Sequence, residues 1–197
     1  MRRQMVPALR MFLAMTLLVG FGYSAVVTGF AQVLFRDAAD GSLVRSGGRV
    51  IGSALIGQAF TGAGYFHPRP SAVDYDGRAS GASNLGPSNP EFLEDVTARV
   101  AAYRAENSLG PDVAIPVDAV TASASGRDPH ISLRNARLQA PRVASARGLG
   151  LTVVLALVDE ATAQPVGGFL SEPAVNVLAL NLMVDEATGT GGSTLEP

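Results

Sequence analysis

Residues Met11–Phe35, MFLAMTLLVGFGYSAVVTGFAQVLF, carry no charge, and Arg2, Arg3 and Arg10 stand before them. A bilayer core is roughly 30 Å thick and takes about 20 apolar residues in a helix, so this run is long enough to span it with some tilt. No second stretch matches it. Leu149–Val158 (LGLTVVLALV) is the nearest rival, but it is short and ends in Asp159 and Glu160, which predicts a buried element of a water-soluble domain. A cleavable secretory signal is the competing reading of the N-terminus, because Gly29-Phe30-Ala31 ahead of Gln32 resembles a small-residue cleavage site. Signal cores run to about 15 apolar residues, whereas this one is longer. It also holds Gly20, Gly22, Ser24, Thr28 and Gly29, residues that let membrane helices pack closely. We read an anchor.

The basic excess lies before the run, and Arg36 after it is followed at once by Asp37, so the N-terminus is expected in the cytoplasm and the rest outside. The expected layout is a cytoplasmic N-terminus (1–10), a transmembrane helix (11–35), a turn-rich connector (36–48), one extracytoplasmic domain (49–188) and a flexible tail (189–197). In a bacterium this is a single-pass protein of the plasma membrane. The outer part is the size of one domain. It carries 12 of the 15 arginines and all 17 acids, and the chain has no lysine. Without a basic stripe, nucleic acid is not an expected partner. The absence of cysteine excludes disulfides, thiolate nucleophiles and Cys-ligated metals.

Within the domain, Arg49–Phe60 reads as a short apolar strand or helix. Thr61–Pro90 is dense in Gly, Pro, Ser and Asn and is too long for an idle loop, so it should wrap a surface or bind something. The clearest helix follows: Ser88 or Asn89 caps it, Pro90 fits its first turn, and Phe92, Val96, Val100 and Tyr103 share one face. It should end near Leu109-Gly110-Pro111. Val113–Thr121 is expected as a strand, and Ser132–Arg147 as a helix that Pro141 interrupts or restarts. Thr152–Val158 and Val175–Val184 complete the core. The fold class expected is a single N-terminal transmembrane helix plus one mixed α/β (α+β) domain.

Candidate chemistry is sparse. Thr121–Ser132 (TASASGRDPHIS) could cradle an anion on backbone N–H groups beside Arg127; the structural alternative is that Asp128 or Ser132 caps the next helix, with Pro129 in its first turn. A Ser125, His130 and Asp118 or Asp128 triad is conceivable, but no nucleophile-elbow pattern supports it. Tyr65-Phe-His-Pro-Arg-Pro-Ser71, followed by Tyr75, has the aromatic, rigid and Arg-containing composition of a binding hot spot or of a proline-fixed loop stacked on its own domain. His67 has no second ligand at metal spacing and reads as a hydrogen-bonding loop residue.

Six segments in order, Gly52–Gln58 (GSALIGQ), Tyr65–Ser71 (YFHPRPS), Ser83–Asn89 (SNLGPSN), Val120–Ser132, Arg142–Arg147 (RVASAR) and Val175–Asn181 (VNVLALN), resemble the C subunit of the bacterial Kdp potassium-transporting P-type ATPase. The resemblance covers nearly the whole chain. It departs from the family pattern at Ala124, Arg127, Ser171 and Ala174, where Gly, Leu, Gly and Arg are preferred. The resemblance implies a non-catalytic accessory subunit. Its partners would be a channel-like A subunit that carries potassium, a B subunit that hydrolyses ATP through a phosphorylated aspartate, a small F subunit, and membrane lipid. Such C subunits are described as catalytic chaperones that raise the ATP affinity of the B subunit. This chain has no P-loop, aspartyl-phosphate motif or potassium filter, so ATP and potassium are expected to act elsewhere in the complex. A domain outside the membrane cannot touch cytosolic ATP, so any effect on nucleotide affinity would be long-range coupling. Contact of nucleotide with Gln58, Ser123, Ser125 or Gly126 would require the opposite topology. Tyr65, Arg69, Tyr75 and Asn84 are the expected partner-interface residues. The alternatives are an anchored hydrolase using Ser125 and His130, or a stand-alone binding module.

Overall fold

The computed structural model describes residues 2–164 and 171–189, which form two units, one ending at Leu43 and the other starting at Val44. The first unit is dominated by α1 (Arg2–Met15), a π-helical stretch Thr16–Tyr23, and α2 (Ser24–Leu34). They run on as one apolar helix, Arg3–Leu34, none of it buried by the protein. Side chains such as Phe12, Leu18, Phe21 and Phe30 stand fully out from it. Burying a side chain of that size is worth roughly 1.5–3 kcal/mol, so the helix as a whole belongs in an apolar medium. A short α3 (Arg36–Ala39) follows, and the Gln32 amide donates to Asp40 across it.

The chain then forms a hairpin, β1 (Leu43–Ser46) and β2 (Arg49–Ser53), nearly all of it in the second unit. Gly47 and Gly48 turn it with φ of 56° and 81°, the left-handed pair that a tight hairpin turn requires. The segment expected as connector is therefore turn-rich, but it also contains α3 and β1. From there to Asn89 the described chain has no helix or strand, only an isolated parallel bridge between Ser71 and Ser123.

The expected helix is α4 (Pro90–Glu106), capped by the Asn89 side chain, which accepts from Glu91 N–H at 2.9 Å. Tyr103 on its inner face is buried with Ala119 and Val120, and Val96 and Val100 pack beside them. Residues 113–121 correct the sequence reading, since they form coil and a single helical turn, α5 (Val117–Val120), rather than a strand. Pro116 caps that turn, and the turn presents Asp118 to Ser132.

After a 3-10 turn at Ala124–Gly126 come β3 (His130–Ser132), α6 (Leu133–Arg147), α7 (Leu151–Glu160), β4 (Thr162–Ala163), β5 (Ala174–Asn176) and α8 (Val177–Ala187). Ser132 caps α6 by accepting from Asn135 N–H, as one sequence alternative had it, whereas Pro129 lies ahead of β3 and outside the helix. Pro141 does not interrupt α6, a second correction. It lies on the exposed side, where solvent can serve the carbonyl that the missing N–H leaves free. Gly148 then ends the helix at φ 66°, with its N–H and that of Leu149 returning to Ser145 and Ala144 in a Schellman motif.

The sheet has the antiparallel order β3-β5-β4, with Ile131 opposite Val175. Helices α6, α7 and α8 bury Val143, Val154, Val158, Leu180 and Val184 against it, and Phe66 reaches the same cluster from the long coil. The expected tail, 189–197, lies outside the described residues apart from Gly189.

Candidate functional site

The coil that carries the Tyr65–Ser71 motif is held by polar side chains rising from α6 and α8. Asn181 pairs with both backbone groups of Phe66, accepting from its N–H at 2.8 Å and donating to its carbonyl at 3.0 Å. Gln139 does the same for His67, at 2.7 and 3.0 Å. Two amide side chains thus replace the neighbouring strand that an extended segment would otherwise need. Both amides are completely buried.

Two arginines extend the grip. Arg142 donates to the carbonyls of Ala63 and Tyr65 and to Gln139 and Asn107. Arg147 donates to the Gly64 carbonyl, stacks 4.3 Å from the Tyr65 ring centre and pairs with buried Asp185 at 2.7 Å. The Tyr65 hydroxyl donates to the same carboxylate. A Cβ on Gly64 would lie 2.7 Å from Arg147 Nε, so the close approach requires glycine. Tyr65 is therefore a fixed part of this clamp.

Arg69 and Tyr75 belong to a second junction. Arg69 pairs with Asp128 at 2.7 Å, and its carbonyl accepts from the Tyr75 hydroxyl. Tyr75 N–H donates to Ser71 Oγ, and Gly126 packs beneath both residues, where a Cβ would meet Ser71 Oγ at 2.6 Å. Gly57 lies as tightly against the other side, 2.7 and 2.8 Å from the Gly126 and Asp128 carbonyls as measured from an added Cβ. Gln58 donates to the Ile51 carbonyl. Asn84 is apart from these, exposed and in left-handed conformation, on a coil tied in at Gly81 by Ser125. Of the residues singled out in the sequence, Gln58, Arg69, Tyr75, Ser123, Ser125 and Gly126 thus lie in one region of packed coils.

This junction engages several of the backbone groups that the anion-cradle reading names. Ser123 N–H donates to the Pro70 carbonyl, Ser125 N–H to the Gly81 carbonyl, and Asp128 N–H to Ser123 Oγ. The triad does not assemble either. Ser125 Oγ faces Ser80 and Gly81, His130 Nδ1 stands 3.8 Å from Asp128, and Asp118 is engaged by Ser132 and Asn135. Sequence order brought these types together; the fold gives Ser125 and Asp118 other partners and leaves the His130 ring beside Asp128 alone.

A cleft of about 400 Å³ lined in part by Arg69, Asp118, Asp128 and His130 borders the junction, and two more flank it and share Ala59, Phe60 and Tyr75. One, of about 420 Å³, is lined also by Ile51, Gln58 and Asp74. Its only charged lining residue is the acid, so it offers a phosphate no counter-charge. The other, of about 280 Å³, holds His67, Tyr103 and Glu106. His67 Nδ1 lies 2.7 Å from Glu106 and Nε2 3.1 Å from the Gly62 carbonyl. Burial, reinforced by Arg142, lowers the His67 pKa against the raising effect of those two acceptors. Burial pushes the Tyr75 hydroxyl up to about 12, with Asp74 adding to it, and raises Tyr103 with help from Asp118. The tyrosines are hydrogen-bonding groups here, neutral at physiological pH.

The clamp residues Gln139, Asn181 and Asp185 were not singled out from the sequence, although a signal existed. Asn135, Gln139 and Arg142 fall at helical spacing among Ala136, Ala140 and Val143, and Asn181 and Asp185 fall four apart among Leu178, Leu180 and Val184. Polar residues on an otherwise apolar face mark a buried polar partner.

Residues 5–186 match the family model described as KdpC, the K+-transporting ATPase c chain. A protein of Mycobacterium tuberculosis named potassium-transporting ATPase KdpC subunit is 54% identical over 187 residues, covering 94% of this chain and 99% of that one. Proteins of the same name from Rhodospirillum rubrum and Cereibacter sphaeroides are 55% and 50% identical, covering 94% and 92% of this chain and 97% and 96% of theirs. With a matched span that takes in the apolar helix, the clamp and the junction alike, the chain belongs to the KdpC family of potassium-transporting ATPase subunits.

Proposed function

We propose that this chain is the membrane-anchored, non-catalytic accessory subunit of an ATP-driven potassium importer, inserted with its N-terminus in the cytoplasm and its domain outside. The observation that carries this reading is a 32-residue apolar helix with no buried residue in its apolar window, joined to a domain in which Ser125, Asp118 and Asp128 are engaged in holding its own coils. Such a helix suits lateral packing with partner helices, and such a domain suits a rigid docking surface. Its partners would be the channel-like A subunit, the ATP-hydrolysing B subunit and the small F subunit. The domain caps the ion-conducting subunit, with Asn84 and Tyr75 at the contact and Tyr65 and Arg69 holding the coil that presents them.

An effect on ATP affinity then follows from preference for one conformation of the complex, since the domain and the nucleotide lie on opposite sides of the membrane. The test compares complexes holding the full chain with complexes holding only residues 1–42. Weaker potassium uptake and weaker ATP binding in the truncated complex are expected. Equal values in both would refute a role for the domain, and complexes that form without the chain at all would refute the assembly role.

A further inference from the structure

We propose that the β1–β2 hairpin is a lipid-contacting element, laying Leu43 and Arg45, which share a face of β1, on the anionic headgroups of the outer leaflet, with Val50 and Arg49 beside the turn on the paired strand. This rests on the anchor and topology proposed above. The first observation is charge. Between Gly41 and Val73 the chain has no Asp or Glu but three arginines, in a protein whose net charge is −2. Arg69 is neutralised by Asp128. The side chains of Arg45 and Arg49 are exposed and have no hydrogen-bond or ion-pair partner among the described residues.

The second observation is the apolar surface between them. Leu43 and Val50 on the strands are roughly half exposed, as are Leu55 and Ile56 in the turn just after β2. Leu43 and Val50 line none of the three clefts at the junction. Ile51, Gly52 and Ser53 at the far end of β2 line the cleft of about 420 Å³, but the turn end of the ribbon, with its free arginines and half-exposed Val50, borders none of the three. The ribbon matches a fluid layer that is apolar below and anionic above. The third observation is reach. Only residues 35–42 separate the end of the apolar helix from β1, a length of at most about 30 Å even when fully extended. Each arginine near an anionic surface strengthens such a contact by about fivefold.

The chain contains no cysteine, so single reporters can be placed in the full-length protein. Val50→Cys, Phe21→Cys and Leu93→Cys would each carry an environment-sensitive fluorophore in nanodiscs of phosphatidylcholine alone or mixed with phosphatidylglycerol. The expected result is a blue shift at position 50 in the anionic discs only, reversed by high salt and reduced about fivefold in docked population by each of Arg45→Gln and Arg49→Gln. Position 93, on α4, should not respond. A reporter at position 21 that stays in water would overturn the anchor reading and this proposal with it. Immersion at 21 with position 50 equally wet in both discs overturns the hairpin proposal alone. Shielding at 50 that needs the other subunits and ignores lipid charge assigns the hairpin to a protein surface, and also overturns it.

Discussion

Replacing Asn181 by Leu should loosen the Tyr65–Ser71 coil without touching any residue of that coil. The two side chains are close in volume, so the change removes hydrogen bonds and creates almost no cavity. It leaves Phe66 N–H and its carbonyl, paired at 2.8 and 3.0 Å in the native chain, without partners in a fully buried site. Each buried backbone group left unsatisfied costs about 1–3 kcal/mol. The two groups together cost about 2–6 kcal/mol and the added apolar surface returns about 1 kcal/mol, so the net loss is about 1–5 kcal/mol. For a chain of this size that corresponds to a fall of about 2–20 °C in Tm. The assay is thermal unfolding of the full chain in detergent, together with amide exchange at Phe66 and His67. Exchange should rise at those two amides first, since local opening of the coil costs less than global unfolding. The Gln139→Leu variant should behave alike, and the double variant should cost less than the sum, because the two clamps hold adjacent peptides. A variant within about 0.5 kcal/mol of the parent, with Phe66 N–H still protected, would refute the clamp.

Three further outcomes can be checked independently. Because the folded-state pKa of His67 is lowered from 6.5, its contribution to stability is complete above the unfolded value and lost as pH falls through the folded one. Histidine proton NMR should therefore show His67 titrating below 6.5, and Tm should fall on acidification less in His67→Gln than in the parent; a midpoint above 6.5 would contradict this. Gly57→Ala should destabilise by about 1–3 kcal/mol through overpacking, since its Cβ would meet two backbone carbonyls, whereas Gly110→Ala, with nothing within 4 Å, should be nearly neutral; equal denaturation midpoints would refute the crowding argument. Asn84→Gly, which keeps the left-handed backbone, should leave Tm nearly unchanged and reduce retention of the chain in complexes purified from potassium-starved cells, and unchanged retention would remove Asn84 from the proposed contact.

Much of the architecture was readable along the chain because it depends on neighbours in sequence. The uncharged run of 11–35, the Asn89 cap with Pro90 behind it, and the apolar face ending at Tyr103 are all local patterns, and each corresponds to an element that formed. Val113–Thr121 shows where local pattern fails. Its apolar residues suit a strand, but Asp118 within it is held by Ser132 and Asn135, and Pro116 starts a helical turn instead. Pro141 likewise looked like a break because its missing N–H is a local fact, whereas its tolerance depends on which side of α6 faces solvent.

The functional residues divide the same way. Composition and hydrophobic patterning were enough to establish one apolar span, a mildly acidic remainder and the absence of thiol chemistry, since these are properties of the chain regardless of its path. The grouping of Ser125, His130, Asp118 and Asp128 suggested chemistry because they are close in sequence, yet in the fold they face different partners. Conversely, Phe66 and Asn181 are separated by 115 positions and nothing local links them. Hydrogen bonds are satisfied within about 3 Å of space, not within a number of residues. The side chains that clamp the coil, and the pairing of Arg69 with Asp128 and of Arg147 with Asp185, therefore emerge only once α6 and α8 have packed and brought their buried polar faces to it.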